Sequence, residues 1–356
     1  MFRKLLFRKK SILLIFSLII ILSLVACNDQ SEPTITDDVV EEEVEEVVVD
    51  PLEKQLEGEQ FEALIEVADD YLQNDYQEVI TPREVYENVV LYPDPDYYVV
   101  DIRGADDFTD ASIIGSVNIP YETISEEHQI DKLPQDKKII VVCYSGHTAS
   151  QTAAFWGMLG FDTVAMENGF GGWGGSLDCD PADYELATEP TEATEEFELP
   201  EIDYEVDTLK ELIIAQGQQI IEDSLRPVIG YSDVKSIVKE ESDDYFLVDL
   251  RTSKLYQKGF IEGAINIPLK TITDPENLAK LPTDKEIVLI SSHGYEASQA
   301  ARILNVLGYE AMASTFGMSA WTSNEEVIGD QPVVCREVVD YPTVITRIDV
   351  EEGDGG

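Results

Sequence analysis

The sequence predicts an α/β protein of two tandem domains, each a mostly parallel sheet flanked by helices. Three observations carry that prediction. Short apolar, β-branched runs alternate with helical patterns, as in sheets whose strands are covered on both faces. A shift of 148 positions lays the second half of the chain on the first. Each half also closes on a tryptophan, Trp173 and Trp321, after the same series of segments.

Arg3, Lys4, Arg8, Lys9 and Lys10 precede an apolar stretch over residues 12–26. It is short for a membrane span and has the layout of a secretory signal over 1–26. Its end, Leu24-Val25-Ala26-Cys27, resembles the lipobox of bacterial lipoproteins. That resemblance implies that the signal is removed, that Cys27 is lipidated, and that the body sits on the extracytoplasmic face of the cell membrane; an uncleaved anchor leaves it on the same side. An acidic Glu/Val tract follows within 27–54 and reads as a self-repelling spacer. The first domain is expected over 55–189, with helical patterns at 61–72, 82–90 and 149–159 and strands at Tyr97–Asp101, Lys138–Val142 and 163–166. Gly160 is the expected stop of the third helix and Thr148 a candidate cap for its start. A Thr/Glu/Pro-rich run marks a linker over 190–204. A second domain is expected over 205–335, opening with a helix at 209–223, and an acidic tail over 336–356 follows.

The duplication holds position by position. Val99-Val100-Asp101-Ile102-Arg103 falls on Leu247-Val248-Asp249-Leu250-Arg251, Asn118-Ile119-Pro120 on Asn266-Ile267-Pro268, and Lys132-Leu133-Pro134 on Lys280-Leu281-Pro282. Ala149-Ser150-Gln151 falls on Ala297-Ser298-Gln299, and Leu159-Gly160-Phe161 on Leu307-Gly308-Tyr309. No gap is needed from the Asp-x-Arg segment to the tryptophan, which is an internal repeat.

Composition bounds the partners. The chain has 24 Lys and Arg against 72 Asp and Glu, a net charge of −48. Residues 1–26 hold five of the bases and none of the acids, so the remainder carries 19 bases against 72 acids. No basic footprint is present for nucleic acid, and anionic lipid headgroups are not attracted beyond the anchor itself. The acidity serves solubility, and it repels an anionic substrate at long range unless salt or a locally positive cleft intervenes. No metal-ligand cluster, nucleotide loop or dinucleotide fingerprint occurs, so no cofactor is expected.

Cys143 is the candidate nucleophile. The run Ile139-Ile140-Val141-Val142 reads as a strand buried on both faces, and Cys143-Tyr144-Ser145-Gly146-His147-Thr148 leads into a helix. A thiol between a strand end and a helix start sits among backbone N–H groups that favour an anion, here a thiolate or a thiol-bound sulfur anion. Gly146 lets the backbone curl toward the sulfur. Ser145 and His147 are possible donors to a substrate, with His147 expected to be exposed and without a proton-transfer role. Thr148 either caps the helix or donates its hydroxyl. A phosphatase needs an arginine six positions after the cysteine to clamp phosphate; Ala149 stands there.

These motifs resemble the rhodanese superfamily over essentially the full length of both repeats. The first repeat reads D-I-R-G-A-D-D-F-T-D-A-S-I-I-G-S-V-N-I-P, then the cysteine loop, then N-G-F-G-G-W. Ala111 and Ser112 replace the Gly-His usual in the family; the second repeat keeps Gly259 and has Phe260 for the histidine. The loop resembles the C-x-x-G-x-T-A loop of thiosulfate and mercaptopyruvate sulfurtransferases. The resemblance implies that Cys143 takes sulfur from a donor such as thiosulfate as a persulfide and passes it to a thiophilic acceptor, with Tyr144, Ser145, Gly146, His147 and Thr148 lining the substrate site. The alternative is a module that holds sulfur or senses oxidants for a membrane partner without turnover.

The second loop carries Ser291 opposite Cys143, and Glu296 brings a negative charge to it. A hydroxyl forms no persulfide and is a poor nucleophile without a base, so this repeat is expected to be non-catalytic and to wall the cleft of the first. The resemblance implies the reverse order of active and silent domains, which loosens the link to a given substrate. Asp101 and Arg103, repeated as Asp249 and Arg251, read as structural ion pairs, and Trp173 and Trp321 as core anchors. Cys179 and Cys335 each follow a closing tryptophan. Outside the cytoplasm they are candidates for a disulfide, and Cys179 is alternatively a resolving thiol for Cys143.

Overall fold

The protein is described by a computed structural model over residues 51–345, apart from 54, 57, 175, 176, 178–180, 192, 194, 226 and 331–339. The signal segment, Cys27, Cys179, Cys335 and residues 346–356 lie outside the described residues.

The strands are β1 (Tyr97–Asp101), β2 (Ser112–Ile113), β3 (Val117–Asn118), β4 (Lys138–Val142), β5 (Thr163–Ala165), β6 (Val228–Ile229), β7 (Tyr245–Asp249), β8 (Ile265–Asn266), β9 (Glu286–Ile290), β10 (Ala311–Ser314) and β11 (Thr343–Val344). The first repeat forms a parallel sheet in the order β3-β1-β4-β5, the second a parallel sheet in the order β6-β10-β9-β7-β8. The central ladders have equivalent registers: Tyr97 faces Lys138, and Tyr245 faces Glu286. Ile139 to Val142 and Ile287 to Ile290 are fully buried, which is why these strands read as unbroken apolar runs instead of alternating.

Five longer helices matter to the site: α1 (Gln60–Asp70), α2 (His147–Met158), α3 (Leu209–Glu222), α4 (Tyr231–Glu240) and α5 (Tyr295–Val306). A capping box sets the start of α3, Thr208 accepting from the Glu211 N–H and Glu211 reaching back to the Thr208 N–H. Helix α2 is buried all round except at Thr148, because one side covers its own sheet and another packs on α5 of the other repeat. A small residue also lets the segment after α1 approach: a Cβ on Gly157 would lie 2.2 Å from the Tyr71 ring. The two repeats share one apolar core and form one compact unit.

Each repeat is also strapped by a segment from the other. After the first repeat, Ala182 and Tyr184 donate backbone N–H groups to Ala320 and Trp321, and Ala187 pairs with Phe260. The end of the chain returns the exchange: Tyr341 N–H donates to the Trp173 carbonyl, the Trp173 indole N–H donates to Pro342, and β11 pairs antiparallel with β2. Tyr341 stacks on Tyr86 with ring centroids 4.8 Å apart. Residues 340–344 are therefore a strap over the first repeat.

Candidate active site

Cys143 follows β4 directly and is 3 % exposed. Its Sγ accepts the Gly146 N–H at 3.1 Å. Burial pushes the thiol up, and the N–H groups of Ala149, Ser145, Gly146 and Thr148 pull it back down without overcoming the burial. The loop N–H groups thus favour an anion at the sulfur, while burial keeps the resting group a thiol raised above its ordinary range.

The loop is shaped by a wall at residues 168–171. Phe170 N–H donates to the Cys143 carbonyl at 2.7 Å, and Gly171 N–H to the Tyr144 carbonyl at 2.9 Å. With those carbonyls tied back, the succeeding N–H groups face the sulfur. Gly169 has φ +51, and a Cβ there would stand 2.4 Å from the Cys143 oxygen. Gly146, at φ +91, is the residue before the first turn of α2. It takes the capping place expected for Thr148, and Thr148 lies in the first helical turn, half-buried. A left-handed residue is what the bend around sulfur demands there, and threonine cannot supply it readily.

The other loop residues divide by exposure. Tyr144 is 54 % exposed and its hydroxyl bonds Asp107. Ser145 Oγ lies 3.1 Å from His147 Nδ1. His147 is buried, against the expectation of exposure, because α2 is covered by the second repeat. Its Nε2 accepts the Phe316 N–H at 2.9 Å, which assigns the proton to Nδ1. Burial pushes its pKa down to about 4, so it is neutral near pH 7 and its free lone pair is already engaged.

The second loop repeats the cradle and fills it. Ser291 Oγ accepts the Gly294 N–H at 2.9 Å and the Ala297 N–H at 3.3 Å, and donates to Glu296 at 2.9 Å. His293 Nδ1 meets Ser319 Oγ at 2.6 Å, whereas Nδ1 of His147 faces Ser145 in its own loop.

Both Asp-x-Arg segments are braces. Arg103 contacts Asp101 at 2.7 Å, donates to the Ala111 carbonyl at 2.6 Å, and lies 3.6 Å from the Phe170 ring centroid. Arg251 pairs with Asp249 and donates to the carbonyls of Val327 and Gly259. Trp173 and Trp321 are buried. Among the described residues no group of three or more His, Cys, Asp or Glu side chains is placed to hold a metal ion. Sequence reasoning missed three contributors, Asn168, Tyr295 and Phe316. The available signal was the 148-residue offset itself, which pairs His147 with Tyr295 and Asn168 with Phe316.

The rhodanese-like domain family matches residues 81–176 and 232–324. The chain is similar to the thiosulfate sulfurtransferase GlpE of Shewanella oneidensis, 33 % identical over 76 residues, covering 21 % of this chain and 73 % of that protein. It is similar to the thiosulfate sulfurtransferase PspE of Escherichia coli at 33 % over 73 residues, covering 20 % of this chain and 68 % of that one. An 85-residue stretch is 38 % identical to the HTH-type transcriptional regulator Rv0324 of Mycobacterium tuberculosis, covering 23 % of this chain and spanning 37 % of that protein's length. Among solved structures, the thiosulfate sulfurtransferase of Pseudomonas aeruginosa aligns over 75 % of this chain and 48 % of its own, at 15 % identity and TM-score 0.27.

Proposed function

The chain belongs to the rhodanese-like domain family, in both of its repeats, and from that premise we propose that it is a sulfurtransferase that carries sulfur on Cys143. The observation that carries the reading is the Cys143 sulfur facing the N–H groups of residues 145, 146, 148 and 149. The thiolate attacks the outer sulfur of a donor such as thiosulfate; the new S–S bond forms as the donor's sulfur–sulfur bond breaks, and sulfite leaves with the bonding pair. The persulfide's negative charge falls on its terminal sulfur, beside N–H dipoles that need no reorganisation to hold it. An acceptor such as cyanide or a thiolate attacks that terminal sulfur, and the Cys143 thiolate is the leaving group. The proton of the resting thiol leaves to solvent before the first step, since His147 offers no free lone pair.

The sequence start supports a lipid anchor at Cys27 and an extracytoplasmic body, and the two remaining cysteines support a Cys179–Cys335 bridge. Incubating the chain without residues 1–27 with thiosulfate, beside Cys143→Ser, tests the function by intact mass. One added sulfur that cyanide removes, absent from the variant, is expected. No gain with thiosulfate, mercaptopyruvate or polysulfide, while Cys143 alkylates freely, refutes it. The alternative is a sulfur relay or oxidant-sensing module that discharges only to a protein partner; steady turnover with small acceptors excludes it.

A further inference from the structure

The two loops grip each other around a pseudo-twofold relation. His147 of the first repeat and Tyr295 of the second are 148 positions apart, as are Asn168 and Phe316. His147 Nε2 accepts the Phe316 N–H. In the mirror contact, the Tyr295 hydroxyl accepts the Asn168 N–H at 3.1 Å and donates to Asn168 Oδ1 at 2.9 Å. The His147 and Tyr295 rings lie against each other with centroids 5.2 Å apart. Asn168 and Phe316 both hold left-handed backbone, at φ 58 and 55, a conformation that asparagine tolerates and phenylalanine adopts only with outside support.

Only one of the two loops holds a sulfur, so the two contacts differ in consequence. Asn168 begins the wall that ties back the Cys143 and Tyr144 carbonyls and so aims the loop N–H groups. The Tyr295 ring also presses on the loop itself: a Cβ on Gly146 would stand 2.9 Å from Tyr295 Cε1, 3.0 Å from the Met166 oxygen and 3.1 Å from the Asn168 nitrogen. Burial, with Glu167 next, raises the Tyr295 phenol well above its ordinary range, so it stays a donor; the same phenol is close enough to feel Cys143 electrostatically. We propose that Tyr295, from the repeat that lacks the nucleophile, is a positioning residue for Cys143, holding wall and loop so that the N–H cradle faces the sulfur. The second repeat thereby completes an active site whose chemistry lies entirely in the first. The proposal rests on Cys143 as the sulfur carrier.

The test uses the full chain, Tyr295→Phe, and as a control Tyr309→Phe, which removes a buried hydroxyl bonded to the Leu278 carbonyl in the core of the same repeat. Two readouts are taken: sulfur loading from thiosulfate, and the pH profile of iodoacetamide alkylation at Cys143, followed by peptide mass. Tyr295→Phe is expected to load sulfur roughly 10- to 100-fold more slowly and to shift the alkylation profile to higher pH, because misaligned N–H groups hold the thiolate less well. Tyr309→Phe is expected to match the parent in both. A Tyr295→Phe profile identical to the parent's, or an equal shift in Tyr309→Phe, overturns the proposal. If Tyr295→Phe does not fold, Asn168→Gly keeps the left-handed backbone while removing the Oδ1 acceptor; a shift in the same direction supports the proposal, and none overturns it. If the parent takes up no sulfur, the functional reading fails, and the alkylation profile alone decides the positioning role.

Discussion

Ser291→Cys in a Cys143→Ser background asks whether the second loop is silent only for want of a thiol. The backbone there is ready, since Gly294 and Ala297 N–H groups already converge on Ser291 Oγ. The obstacle is Glu296, whose carboxylate accepts from that hydroxyl at 2.9 Å and stands where Thr148 stands in the first loop. A thiolate in place of the hydroxyl faces this carboxylate at a separation of about 4 Å, a repulsion of about 4 kcal/mol at an effective dielectric constant near ~20. Glu296 is partly open to solvent, and screening that halves the repulsion leaves about 2 kcal/mol, or roughly 30-fold less thiolate at a given pH. The new thiol is therefore expected to take up sulfur from thiosulfate at least ~30-fold more slowly than Cys143 does in the parent, by intact mass against time. Adding Glu296→Thr is expected to recover most of that loss. Rapid loading of Ser291→Cys with Glu296 intact refutes the electrostatic argument; failure of the double variant shows that the second cradle lacks something besides charge.

Three further outcomes are expected. Arg302 is fully buried between the repeats, bonded through Nη2 to Tyr121 at 2.6 Å and Gln151 at 3.4 Å and facing the Tyr121 and Phe155 rings, while its Nε and Nη1 have no hydrogen-bond partner among the described residues. Arg302→Met should be neutral or stabilising by about 1–4 kcal/mol in urea unfolding, and a clear loss of stability disproves the idea that the guanidinium is undercompensated. Gly169→Ala places a Cβ 2.4 Å from backbone at φ +51; left-handed strain of about 1–2 kcal/mol and overpacking of about 1–3 kcal/mol should together cost ~2–5 kcal/mol and abolish sulfur loading, and a variant that loads normally contradicts the wall. His147 has a folded pKa of about 4 against about 6.5 unfolded, so the unfolded chain binds the proton first as pH falls. Its contribution, present above about pH 6.5, is lost on descending to about pH 4, some ~3 kcal/mol; His147→Gln should remove that slope, and parallel stability-against-pH curves count against the assignment.

Much of this protein is legible along the chain, because repetition and strand chemistry are local properties. The 148-residue offset fixes the equivalence of Tyr97–Asp101 with Tyr245–Asp249, and unbroken β-branched runs announce strands covered on both faces. Cys143 at a strand end, with Gly146 three residues on, is enough to name the nucleophile and its loop. What lay beyond local reading was decided by residues distant in the chain. His147 is buried because α5 covers α2, and no pattern within residues 147–158 states which of its faces meets a second helix. Gly146 replaces Thr148 at the helix start because the loop must bend between Met166, Asn168 and Tyr295. The straps cross from one repeat to the other, so Trp173 meets Tyr341 and Trp321 meets Tyr184 across intervals far beyond any periodicity. Periodicity reports which residues avoid water, while the identity of the surface that excludes the water is a property of the assembled chain. Tyr295 reaches the nucleophile's loop for that reason alone: the apolar faces of two repeats are buried against each other.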